Sequence, residues 1–143
     1  MLIALITATS LFALCAAVRK FLDRPGREDQ TTANGRVELT SLWNHRGAFG
    51  IAIHPTVLLT ISVGALTGVL SRLRTAPVGA GLVLGGGLSN LRERLTQGRV
   101  YDYIRFPKAP GRLKRYVYNL ADFGIFLGTI LLLFRRKPRK TKR

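Results

Sequence analysis

The sequence predicts an α-helical integral membrane protein with four transmembrane helices and a small extracytoplasmic β-like segment between the first and second. Four long apolar blocks each approach the roughly 20 residues that a helix needs to cross the core of a bilayer. The charged residues, 23 Lys and Arg against 7 Asp and Glu, are concentrated between these blocks. We therefore expect one membrane domain over residues 1–143, with spans at about 1–18, 51–71, 75–92 and 117–135.

The first apolar block is predicted to be a spanning helix. It is uncharged up to Arg19 and lacks the positively charged start of a cleaved secretory signal. Cys15 follows Leu14, which is bulkier than the small residue expected before a lipid-modified cysteine. The block is therefore interpreted as transmembrane, with Cys15 as a packing residue.

Local patterns predict a strand before the second block, the start of the second helix and the role of the glycines in the third. Residues 36–43 alternate between apolar and polar, as in a short strand, and Trp43 suits a membrane interface. Pro55 favours the start of the second helix, because proline is tolerated in a first helical turn. The third block is rich in glycine, but the spacing matches neither nucleotide-binding fingerprint. Close packing of membrane helices explains these glycines better.

The net charge of +16 restricts the classes of partner. Such a charge often indicates nucleic-acid binding. Here the charges are excluded from the apolar blocks, which is typical of basic loops that contact membrane phospholipids, so no nucleic-acid partner is expected. The tail 135–143 has seven basic residues in nine positions and is predicted to be a cytoplasmic anchor.

Two observations on charge bear on orientation, and they conflict. Nine Lys and Arg lie on the side of the tail and the short loop at 72–74, against 14 on the side of the long loops. Long mixed-charge loops cross a membrane with less regard to charge, so the dense tail is weighted more heavily. Both chain termini are therefore expected in the cytoplasm.

Asp122 is the residue that most strongly indicates a functional site. It lies early in the fourth apolar block, where a carboxylate costs up to about 2.5–3.5 kcal/mol at the bilayer centre and less near the interface. Asp102 lies in the preceding segment, predicted to be a loop, between Tyr101 and Tyr103, two aromatics expected at the interface. Four spans bring Asp102 and Asp122 to the same membrane face.

Two such aspartates can hydrolyse a peptide bond. Close carboxyl groups cannot both ionise, so one accepts a proton from water while the other, protonated, polarises the scissile carbonyl. The Asp-Thr/Ser-Gly and Gly-x-Gly-Asp patterns of other aspartyl proteases are absent from the sequence. A small membrane transporter in which Asp122 relays protons remains an alternative. With one cysteine and two histidines, the sequence gives no reason to expect a metal or an organic cofactor.

Four motifs, in order and spacing, resemble those of bacterial signal peptidase II, the lipoprotein signal peptidase family. They are NHRGAF at 44–49, GGGLSNLRER at 85–94, VYDYI at 100–104 and YNLAD at 118–122. The resemblance covers the chain from Trp43 to its end. It implies Asp102 and Asp122 as the catalytic dyad, and it implies supporting or substrate-binding roles for Asn44, Asn90, Glu93, Arg94 and Asn119.

The resemblance also implies a substrate and a location. Such enzymes cut the signal peptide of a prolipoprotein immediately before a cysteine that carries diacylglycerol. The expected location is the bacterial cytoplasmic (inner) membrane, with the site near its extracytoplasmic face, and the expected state is a monomer. Departures from the family pattern, which are Glu93 for Asp, Ser89 for Gly and Arg46 for Gly, leave an inactive lipopeptide-binding relative as an alternative.

Overall fold

The computed structural model describes residues 1–24, 30–45 and 53–134, and of residues 30–33 the backbone only. The predicted basic tail and Arg46 lie outside the described residues. Four helices occupy the positions of the four apolar blocks, and a small sheet lies at one end of them. The helices are α1 (Leu2–Leu22), α2 (Pro55–Leu70), α3 (Pro77–Gln97) and α4 (Leu120–Leu133); the strands are β1 (Gln30–Thr32), β2 (Val37–Asn44), β3 (Val100–Arg105) and β4 (Val117–Tyr118).

The ends of the helices follow local chemistry. Pro55 and Pro77 stand in the first turns of α2 and α3, where a missing N–H costs nothing. Helix α3 runs past the expected end at residue 92 and stops at Gly98, whose φ of 68° is the left-handed conformation that glycine adopts readily. Glu93 and Arg94 therefore lie within α3.

Helix α3 is the centre of the bundle, packed mainly against α1 and α4 and less against α2. Its glycines allow this close approach. A Cβ at Gly85 would lie 2.5 Å from the carbonyl oxygen of Ala8 in α1, and one at Gly86 would lie 2.6 Å from that of Ala121 in α4. Small residues thus bring three helix backbones together, as is common in membrane helix packing.

The outer surface of the bundle is apolar and bulky, whereas its interior is built of small residues. The buried helix residues include Ala4, Ala8, Ala80 and Ala121. Large apolar side chains instead face outward on all four helices, among them Leu2, Ile6, Val57, Ile61, Val78, Leu88, Phe126 and Leu131. Within the described residues, α1 alone is both long and apolar enough to cross a membrane, and α2 and α4 are apolar but shorter.

The sheet is larger than the predicted segment between the first two helices. Its strands run antiparallel in the order β1-β2-β3-β4, so that half of it comes from the chain between α3 and α4. Leu42 pairs with Asp102 and Asn44 with Val100. The prediction that Asp102 lies in a loop was therefore wrong, because pairing with β2 holds it in a strand.

Candidate active site

Asp102 is held on β3 by two amide side chains. Its side chain is buried, with the residue 3% exposed. Asn44 on the neighbouring strand donates from Nδ2 to Oδ2 at 2.9 Å, and Asn119 donates from Nδ2 to Oδ1 at 2.8 Å. Strand pairing explains the first contact, since Asn44 and Asp102 lie two residues apart along paired strands. Both donors are neutral amides, which hold a carboxylate in place without supplying a proton.

Asp122 is held mainly by the backbone at the start of α4. Asn119 is the N-cap, and its Oδ1 accepts from the Asp122 N–H at 3.0 Å while its own N–H donates to Asp122 Oδ2 at 3.0 Å. This reciprocal pair is a capping box, which satisfies two N–H groups that the helix itself leaves without partners. Asn90 of α3 donates from Nδ2 to Asp122 Oδ1 at 3.1 Å.

Asn119 joins the two aspartates directly. Its Nδ2 donates to Asp102 Oδ1 and to Asn90 Oδ1, the latter at 3.1 Å, while its backbone N–H binds Asp122. The two carboxyl groups thus lie on either side of one asparagine. Asp102, Asp122, Asn44, Asn90 and Asn119 form a single hydrogen-bonded network.

The surroundings of Asp102 favour its protonated form. Burial is the largest cause and raises the pKa of Asp102 to about 6, with the negative charge of Asp122 acting in the same direction. The hydrogen bonds from Asn44 and Asn119 and the positive charge of Arg94 oppose this rise. Asp102 therefore exchanges its proton near neutral pH, which suits a carboxyl group that must both accept and donate a proton.

The two tyrosines beside Asp102 are buried inside the protein, and their place at the membrane interface stays a prediction. Each is 4% exposed, because β3 packs onto the end of the helix bundle. The Leu120 N–H donates to the hydroxyl oxygen of Tyr103 at 3.0 Å, which ties β3 to the first turn of α4. Burial raises the pKa of Tyr103 to about 12, so its hydroxyl stays neutral.

The other two predicted supporting residues, Glu93 and Arg94, lie beside this network. Glu93 contacts neither aspartate among the described hydrogen bonds; its Oε2 accepts from the Tyr101 N–H at 2.8 Å, and its Oε1 lies 3.8 Å from Arg19 Nη1. Arg94 acts on both aspartates through its charge. Arg19, whose only sequence signal was its place at the end of the first apolar block, was not predicted.

Comparison with known proteins covers almost the whole chain. The family model described as signal peptidase (SPase) II matches residues 3–136. The chain belongs to the signal peptidase II family. Among curated relatives, the lipoprotein signal peptidase of Nitrobacter hamburgensis is 34% identical over 68% of this chain, and that of Pelotomaculum thermopropionicum is 39% identical over 66%. These matches cover 66% and 63% of the relatives' own lengths, and a third, from Rhodococcus jostii, covers 52%.

The fold of this signal peptidase II family member is also that of a solved membrane enzyme. A structure described as a bacterial membrane enzyme, determined by the in meso method, superposes with a TM-score of 0.81. It is 19% identical in sequence, and the match covers 98% of this chain and 93% of that one. At this identity the likeness establishes the arrangement of helices and sheet. The match of the family model confirms, at the level of the family, the resemblance found in the four sequence motifs.

Proposed function

We propose that this chain is an aspartyl endopeptidase that cleaves the signal peptide of diacylglyceryl-modified prolipoproteins, immediately before the lipid-bearing cysteine. The observation that carries the proposal is the pair of hydrogen bonds from Asn119 to both aspartates. Membership of the signal peptidase II family supports the substrate class. Asp102 and Asp122 are the catalytic residues in this proposal.

The dyad divides acid and base roles between its two carboxyl groups. The protonated member donates to the oxygen of the scissile carbonyl, while the ionised member takes a proton from water as the water oxygen attacks the carbonyl carbon. The tetrahedral intermediate then collapses, the C–N bond breaks, and a carboxyl proton passes to the leaving amine. Asn44, Asn90 and Asn119 keep the two carboxyl groups oriented throughout, and Arg94 supplies positive charge beside them.

A lipid-modified substrate requires the site to lie at the membrane boundary. The large apolar side chains on the outside of the four helices are a surface suited to hydrocarbon, and the polar network begins where α4 starts. We propose that all four helices span the bilayer and that the sheet and the dyad lie at the extracytoplasmic face of the bacterial cytoplasmic membrane. Both termini are then cytoplasmic. A monomer is sufficient for this activity, since every residue of the hydrogen-bonded network comes from one chain.

The proposal is tested by incubating the purified protein with a diacylglyceryl-modified prolipoprotein. Cleavage is expected in the wild type and is expected to fall at least about 1,000-fold in D102N and in D122N, because neither variant can share a proton across the dyad. D23N, which removes an exposed aspartate at the end of α1, is the matched control and should cleave normally. Helix content and thermal unfolding establish that each variant is folded.

The other functions make different predictions in the same experiment. Binding of the lipopeptide without cleavage in the wild type would favour an inactive lipopeptide-binding relative. Proton flux into liposomes that requires Asp122, without cleavage, would favour a transporter. Normal cleavage by D102N or D122N would remove that aspartate from the mechanism.

A further inference from the structure

Glu93 is a buried carboxylate that the proposed chemistry does not use. The residue is 8% exposed, and its Oε2 accepts the buried N–H of Tyr101 at 2.8 Å. Strand β4 pairs with β3 only farther along, at Ile104 and Arg105. At Tyr101 the side chain of Glu93 therefore takes the place of a neighbouring strand, since a buried N–H without an acceptor is costly.

Tyr101 immediately precedes Asp102 in β3, so the Glu93 contact acts one residue from a proposed catalytic carboxyl group. Asn90 lies one helical turn before Glu93 on the same helix. Asn90 binds Asp122, and Glu93 binds the strand that carries Asp102. A single turn of α3 therefore contacts Asp122 and the strand that carries Asp102.

The second oxygen of Glu93 connects this turn to α1. Its Oε1 lies 3.8 Å from Arg19 Nη1, and the Arg19 guanidinium lies over the ring of Trp43 at 5.6 Å from the centroid. Trp43 pairs with Tyr101 across β2 and β3, with ring centroids 5.0 Å apart. These contacts close a ring through Arg19, Glu93, Tyr101 and Trp43 that joins two helices to two strands.

We propose that Glu93 is a positioning residue. By binding the Tyr101 N–H, it holds β3 against α3 in the position where Asn119 can bind both Asp102 and Asp122. This inference rests on the proposed function and assigns Glu93 a role through the Tyr101 backbone rather than in binding substrate. The essential property of Glu93 is then its acceptor oxygen. Its charge contributes mainly through Arg19, and that ion pair is long at 3.8 Å.

The test compares E93A, which removes the acceptor, with E93Q, which keeps one. E93A is expected to lower kcat by up to about 100-fold with KM within about threefold, because a displacement near 1 Å costs about that much. E93Q is expected to keep kcat within about fivefold, since its amide oxygen accepts from the same N–H. E38A is the matched control: Glu38 also pairs with β3, through Arg105 at 3.7 Å, but at the exposed end of the strand.

Hydrogen exchange at the Tyr101 amide gives a readout that does not depend on activity. Exchange is expected to speed up at least about tenfold in E93A, from the loss of a buried hydrogen bond, and to stay slow in E93Q and E38A. The position of Glu93 is thus tested even if the wild type cleaves no prolipoprotein, a result that would count against the proposed function alone.

Three results would overturn the positioning role. One is a folded E93A with wild-type kcat. Another is an E93A in which the Tyr101 amide still exchanges slowly. The third is an E93Q that loses as much kcat as E93A while Tyr101 stays protected, which would mean that the charge acts directly in the reaction. If E93A does not fold, the test rests on E93Q alone. An E93Q variant that keeps its kcat and a slowly exchanging Tyr101 amide supports the proposal. An E93Q variant that loses kcat while that amide still exchanges slowly rejects it.

Discussion

The two halves of the dyad are held by different kinds of structure. Asp122 stands in the first turn of α4, where the backbone itself provides an N–H and the capping residue is three positions away. Asp102 stands in a strand whose own backbone provides it no such contact among the described hydrogen bonds, and its partners come from Asn44 and Asn119, 58 and 17 residues distant. One carboxyl group is thus positioned locally and the other by tertiary structure.

This difference indicates where the site is robust and where it depends on the whole fold. The capping box forms wherever α4 forms, so Asp122 is fixed as soon as its helix is. Asp102 reaches its place only when β2, β3 and α3 have assembled. Asn119 belongs to both arrangements, because it caps α4 and binds Asp102 with the same side chain.

Among the three asparagines of the network, Asn119 is expected to have the largest effect when replaced, and two variants separate its two roles. N119A removes both the cap and the bond to Asp102; the cap alone contributes about 0.5–2 kcal/mol to stability. N119S keeps a capping hydroxyl but loses the amide donors. We expect both variants to lose about 100-fold or more in kcat, because the dyad loses its common partner. Only N119A should show a clear fall in thermal stability.

These outcomes are checked by prolipoprotein cleavage and by thermal unfolding of the purified variants. High activity in N119S would show that the amide donors are dispensable and that capping is all that Asn119 provides. Equal loss of stability in both variants would mean instead that the serine hydroxyl does not replace the cap.

Asn44 and Asn90 offer a paired test with a smaller expected effect. Among the described hydrogen bonds, Asn44 donates from its amide to Asp102, and Asn90 donates from its amide to Asp122. N44A and N90A are each expected to lose about tenfold in kcat, the scale of one hydrogen bond to a charged group. Only N44A should raise the pKa of Asp102 above about 6, since the bond from Asn44 opposes the effect of burial.

Carbon-13 NMR of labelled aspartate carboxyl groups measures that pKa directly. An unchanged Asp102 titration in N44A, or an equal shift in N90A, would contradict the separate support of the two carboxyl groups. D23N is again a useful reference, because it removes the signal of one exposed aspartate and leaves both asparagines in place.

The sequence predicted the helices and the identities of the network residues better than it predicted the tertiary contacts between them. Apolar runs are local signals, so the four helices are found at their expected positions. Both aspartates and the asparagines were found through short motifs, each of which can be read without knowing the fold. Helix ends shifted by a few residues, because caps such as Gly98 were not considered.

The sheet was the part that local signals could not provide. Strand β3 shows little alternation, since Val100, Tyr101, Asp102 and Tyr103 are all buried. Its pairing with β2 joins segments about 58 residues apart, which no window of sequence contains. For the same reason the sequence placed Glu93 among the supporting or substrate-binding residues without indicating its described contacts, which are with Tyr101 and Arg19.

A further predicted effect concerns stability and pH, and it distinguishes the buried strand carboxyl group from an ordinary one. Burial raises the pKa of Asp102 from 3.8 to about 6, so the folded protein holds this proton more tightly than the unfolded chain does. Its contribution to stability is therefore fully present below about pH 4 and is lost as the pH rises through about 6. The size of this contribution is on the order of 3 kcal/mol.

The measurement is the difference in thermal unfolding between the wild type and D102N from pH 4 to pH 7. Asparagine has no proton to lose, so the wild type should lose stability relative to D102N over this interval. A constant difference would mean that Asp102 ionises in the folded state as easily as in the unfolded one, and that the donors from Asn44 and Asn119 fully offset its burial. Asp102 would then be ionised near neutral pH, and the proton of the dyad would have to reside on Asp122.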